Sequence, residues 1–272
     1  MIRSVSILGL AAPVACTATV NVDTLARDPI GDVTGTSIAD STGGVTGPSE
    51  GTSASTGEGT GDTGGMFAPQ SCAEVLAAAP GAVDGEYTLY ADNDPARAWQ
   101  AWCVDMAGTP REYLILPMSG DGFNYSEYVP GPQQAPGTTV RTTYSRIRVD
   151  PHDLSVDVSD QTFATSVGQL MHGATEVTSM PYAVAMDCVG EGSKSGRGNV
   201  DLRGTPFRVW ASQWLVTGTN GGWGGAVGSA NDQVMTLRGG GLCGFIQPHL
   251  WDRTEGPIND WGGFYLQLVF LE

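Results

Sequence analysis

Basic side chains are scarce in this sequence: 13 lysines and arginines stand against 29 aspartates and glutamates, for a formal net charge of −16. Nucleic-acid binding needs Lys and Arg to displace phosphate counterions, so this composition excludes that partner class. It also excludes adhesion to anionic lipid by charge alone. Histidine is scarcer still, with three residues, His152, His172 and His249. None is followed by Glu and no two are four apart, so the H-E-x-x-H helix of a zinc protease is missing. No G-x-S-x-G marks a serine nucleophile, no C-x-x-C marks a zinc or dithiol site, and no local feature recommends a glycosidase carboxylate pair. Long apolar runs and long helical periods are missing as well.

What is present divides the chain into three. Residues 1–16 read as an export signal, with Arg3 in the positive region and Val5–Val14 as a short apolar stretch. Val14-Ala15-Cys16 resembles a bacterial lipoprotein cleavage site, although Pro13 stands where Leu is usual. Lipidated Cys16 would then be the new N-terminus and tie the protein to a membrane. Residues 17–70 are rich in Gly, Ser and Thr with scattered acids, and have too little apolar surface to offset ordering entropy. They read as a flexible linker. Residues 71–272 hold enough Val, Leu, Ile, Trp, Tyr and Phe for one core of roughly 200 residues.

Within that segment Ser71 and Glu74 have the spacing of a capping box, which predicts a short helix ending at Pro80-Gly81. The remainder reads as mainly β. Expected strands are Tyr87–Ala91, Trp99–Val104, Tyr113–Pro117, Arg146–Val149, Leu154–Val158, Phe207–Trp210, Gln213–Val216, Gln233–Leu237 and Phe264–Leu271, closely punctuated by Gly and Pro. Cys72, Cys103, Cys188 and Cys243 form an even set in an exported context, which favours disulfides over free thiols. The sequence alone allows three pairings.

The runs SCAEV, DGEYTLY, WCVDM and REYLIL, then TYSRIRVDPHDLSVDVSDQTFATSVG, MPYAVAMDC, GNVDLRGTPF, GGGLCG and LQLVFL, resemble in order the GON domain. That domain is the C-terminal module of some secreted zinc metalloproteases of the ADAMTS type. The opening also resembles the first subdomain of fibrinogen-like domains. The resemblance implies a β-rich domain stabilised by the disulfides Cys72–Cys103 and Cys188–Cys243. It associates the chain with zinc and with metalloendopeptidases, although the catalytic motif is missing.

Several residues remain as candidates for binding. The three histidines and the pair Asp92 and Asp94 are candidate metal ligands, for zinc or calcium. Asp92-Asn93-Asp94 looks like half of an oxygen-ligand loop without the rest of an EF-hand. Asp150, Asp153, Asp157 and Asp160 have the same two readings, a hard cation or ordinary turn chemistry. Trp99, Trp102, Trp210 and Trp214 fall on expected strands and read as core. Trp251 and Trp261 flank a polar stretch. Trp223 lies in the Gly-rich run Asn220–Gly225 and offers a flat apolar face to a sugar or protein. The expected function is a non-catalytic recognition or adhesion module outside the cell, binding an extracellular protein or glycan. The alternatives are a zinc-binding protein associated with metalloendopeptidases and a lectin-like glycan binder.

Overall fold

The computed structural model describes residues 67–133, 135–189, 195–217, 222–249, 251–252, 256–257 and 265–271. The expected signal and Cys16, nearly all of the linker, the Trp251 side chain and Trp261 lie outside them.

The expected helix forms over Cys72–Ala78, with Ser71 as its N-cap. Ser71 Oγ accepts the Glu74 N–H at 3.1 Å. The Glu74 carboxylate does not return to Ser71. It accepts instead from the Gln70 N–H at 2.7 Å and from Asn93 Nδ2 at 3.2 Å, stapling the helix to the chain before it. The Pro69 carbonyl accepts the Tyr90 N–H at 2.8 Å and Ala68 O accepts Asn93 Nδ2 at 2.9 Å. These bonds tie Ala68 and Pro69 to the Tyr90–Asn93 stretch, ahead of the Ser71 that the capping signal marks. Cys72 is bonded to Cys103, which ties this helix to a strand.

Two large sheets follow. The first runs, in spatial order, Gly85–Tyr90, Ala98–Val104, Arg111–Ile115, Arg146–Val149, Ser155–Asp157 and Tyr265–Gln267, all antiparallel. Alternation sets the faces: along Ala98–Val104 the side chains of Trp99, Ala101 and Cys103 are buried and those between are not. The second sheet runs Trp214–Thr217, Gly244–Pro248, Ala185–Asp187, Tyr125–Val129, Gly196–Asp201, Val234–Gly240 and Trp223–Ser229, with Val140–Tyr144 and Ala164–Val167 off that path. Tyr125–Val129 pairs antiparallel with Val140–Tyr144 on one edge and shares its other edge between two partners. Its start pairs antiparallel with Gly196–Asp201 and its end pairs parallel with Ala185–Asp187.

One core joins the sheets, with Leu89, Trp99, Leu114 and Ile147 from the first and Val200, Met235, Leu237 and Ile246 from the second. A second, smaller cluster gathers Tyr128, Val140, Leu170, Met180 and Met186 around Cys188 and Cys243, which form the other disulfide.

The class is thus mainly β with one short helix among the described residues, as the sequence implies. Three expectations need correction. The closing run is not one strand. Tyr265–Gln267 pairs with Ser155–Asp157 and Val269–Phe270 with Phe207–Arg208; Leu268, between them, donates its N–H to Leu154 O at 3.1 Å, and the chain changes partner after it. Two of the tryptophans expected in the core are not there: Trp102 is only half-buried, on the face opposite Trp99 with the Arg146 guanidinium over its ring, and Trp210 lies just beyond its strand and is 39% exposed, with the Arg208 guanidinium over its ring. Trp223 is not in a loop: it opens the strand Trp223–Ser229, which pairs along its whole length with Val234–Gly240.

Candidate functional site

The acids singled out in the sequence mostly bind their own backbone. Oδ1 of Asp94, Asp150, Asp153, Asp157 and Asp160 accepts the N–H two residues on, at 2.9, 2.9, 2.8, 3.1 and 2.9 Å respectively. This is the turn chemistry that favours Asp over other residues. Asp92 adopts a left-handed φ of 56° and pairs with Arg97. Asp92 and His152 are brought together on the wall of one cleft of about 260 Å³, with Arg97, Asp153 and Gln267 beside them and Phe270 among its apolar residues.

The three histidines do not converge. His152 sits on its turn, and the His249 N–H donates to Gln213 O at 2.6 Å. Among the described residues a single group of three side chains of metal-ligand type lies close enough to hold an ion. It contains His172, Cys188 and Cys243, with all three ligand atoms within 4.8 Å of one another, and includes none of His152, His249, Asp92 or Asp94. In the disulfide the two sulfurs have no thiolate to offer a metal or a substrate.

That group lies beside the most unusual carboxyl in the structure. Asp187 ends the short central strand Ala185–Asp187, between the Gly244–Pro248 and Tyr125–Val129 strands, and is 1% exposed. The Val189 N–H donates to its Oδ1 at 3.2 Å, while Oδ2 has no hydrogen-bond partner among the described residues. Burial pushes its pKa up to about 6, against a smaller downward pull from the amides of Val189, Gly241 and Gly196.

Gly240 explains how Trp223 reaches this point. A Cβ at Gly240 would lie 2.6 Å from Trp223 Cζ2 and 2.8 Å from Asp187 Oδ2. Only glycine lets the indole and the carboxyl both approach the backbone here. The indole rests on that glycine floor, yet the residue stays 37% exposed. It presents an apolar surface to solvent, with the buried Asp187 carboxyl against the same glycine.

On the other flank Tyr128 Oη bonds His172 Nδ1 and lies 3.0 Å from Cys188 Sγ. His172 Nε2 is buried without a partner among the described residues, and burial lowers the ring's pKa, so the ring is neutral at neutral pH. Sequence reasoning reached His172, Trp223 and the cysteines but missed Tyr128, Asp187 and Gly240. Asp187 does fall in the MPYAVAMDC run, but a lone Asp before a Cys carries no local signal. Only the sheet brings it under Trp223.

Residues 132–254 match the family model of the GON domain. No curated protein and no solved structure gives a significant match. The matched stretch takes in His172, Asp187, Cys188, Trp223, Gly240 and Cys243, whereas Tyr128 and the fibrinogen-like opening lie before it. The site is therefore built almost wholly from the stretch that matches the GON-domain model.

Proposed function

We propose that this chain is an exported GON-type recognition module, held at the outer surface through a lipidated Cys16, that binds an extracellular protein or glycan without transforming it. GON domains belong to extracellular proteins, and two disulfides suit an oxidising compartment. The observation that carries the reading is Trp223, a large ring seated on Gly240 and left 37% exposed. Aromatic side chains in this state are the common anchors of recognition surfaces, because they bury much area at little entropy cost. The net charge of −16 favours neutral or basic partners.

The test is binding of the full chain to arrays of immobilised saccharides and extracellular proteins. Trp223→Ala should weaken capture by roughly 30-fold, as for an anchor worth about 2 kcal/mol. Trp223→Phe should retain part of it. Equal capture by wild type and Trp223→Ala would refute the assignment of this face. The array that responds decides between glycan and protein.

A further inference from the structure

We propose that His172, Cys188 and Cys243 form a redox-gated zinc site, closed as a disulfide under oxidising conditions and able to take one zinc ion when reduced. Two sulfurs and an imidazole nitrogen converge within 4.8 Å, from three separate parts of the fold. Thiolate and imidazole are the donors zinc prefers, and three protein ligands leave a fourth position for water. The sulfurs belong to residues that are no more than 1% exposed, so a metal held there would be shielded from competing ligands.

Tyr128 Oη bonds His172 Nδ1, which holds the ring beside the sulfurs, while Nε2 is buried without a partner among the described residues. A hydrogen bond of this kind to a ligating imidazole fixes the ring. Tyr128 also touches Cys188 Sγ at 3.0 Å, so one hydroxyl supports two of the three ligands.

The chemistry balances in two steps. A dithiol reductant passes two electrons and two protons to the Cys188–Cys243 bond and becomes a disulfide itself, leaving two protein thiols. Zinc then binds both sulfurs as thiolates, releasing two protons to solvent, while neutral His172 donates its lone pair. Exchange with a small-molecule disulfide, which takes the two electrons and is itself reduced to thiols, re-forms the Cys188–Cys243 bond and expels the ion.

The experiment uses the full chain reduced by a phosphine, which takes oxygen from water and does not compete strongly for metal. Zinc uptake is measured by competition with a chromogenic chelator, and cobalt replaces zinc as a spectroscopic probe. The reduced chain should bind with a thiolate-to-cobalt charge-transfer band, and the oxidised chain should not bind. His172→Ala should shift the cobalt d–d bands and lower affinity at least tenfold. Tyr128→Phe should lower affinity roughly 10- to 100-fold. Cys72→Ser with Cys103→Ser should leave the spectrum unchanged. His172→Ala and Tyr128→Phe leave every cysteine in place, so they judge the site even where cysteine variants fail to fold. The proposal is overturned by equal uptake in the oxidised chain, by uptake indifferent to His172, or by a reduced chain that takes up no zinc or loses its near-UV dichroism with zinc present.

Discussion

Asp187→Asn should abolish a loss of stability that the disulfide-bonded wild type suffers as pH rises from about 4 to about 6. The sign follows from burial. The carboxyl's usual pKa of 3.8 becomes about 6 in the folded protein. Between those values the native state holds a proton that the unfolded chain has released. Its contribution is thus fully present below the unfolded pKa and is lost as pH climbs through the folded one. A shift of about two pKa units corresponds to about 3 kcal/mol at neutral pH, taken as an upper bound. For a domain of this size that is a change in melting temperature of roughly 5–10 °C. His172 has the opposite sign: its lowered pKa makes folding less favourable as pH falls below its ordinary value of 6.5. The measurement is therefore the difference between the wild-type and Asp187→Asn melting curves from pH 4 to 8, in which the His172 contribution cancels. The two should converge at low pH, separate between about pH 4 and pH 6, and stay apart by a constant amount above that. Parallel curves would mean that Asp187 is solvated and the site open.

Asn124→Ala should be the most damaging single polar substitution, costing about 4–5 kcal/mol. The Asn124 side chain is fully buried and uses its whole hydrogen-bonding capacity. Nδ2 donates to Met118 O at 2.7 Å and to Asp201 O at 2.8 Å. Oδ1 accepts the Tyr182 hydroxyl at 2.6 Å and the Asp201 N–H at 2.8 Å. Truncation strands all four partners, among them two buried donors, the Tyr182 hydroxyl and the Asp201 N–H. The backbone compounds the loss, because Asn124 has φ of 47°, a conformation Asn tolerates better than Ala. Chemical denaturation should show a midpoint shift of that size with an unchanged slope. A loss below about 1 kcal/mol would show that the loop before Tyr125–Val129 can re-pair elsewhere.

The first sheet was largely legible in the sequence because its strands alternate large apolar and polar residues, as in Ala98–Val104 and Arg146–Val149. Much of the second was not. Gly196–Asp201, Trp223–Ser229 and Gly244–Pro248 are strands whose glycines read locally as loop. The glycines are there because backbones crowd together. A Cβ at Gly196 would lie 2.1 Å from Met186 O, one at Gly239 2.3 Å from Ala185 O, and one at Gly244 1.8 Å from Gly240 O. Tertiary crowding overrides strand propensity, and nothing local announces it. The same limit applies to the site. The aspartate turns were legible because each Asp serves the amide two residues on. The meeting of Asp187, Gly240 and Trp223 was not, because each arrives on a different strand.

The central claim, that the outer face of Trp223 is the recognition surface, is tested most directly by the indole N–H resonances of the folded protein during titration with a captured ligand. The account predicts that the Trp223 resonance shifts with the binding isotherm while that of Trp99, buried in the core, stays fixed. A ligand that binds without moving Trp223, or that moves the exposed Trp210 instead, would contradict it.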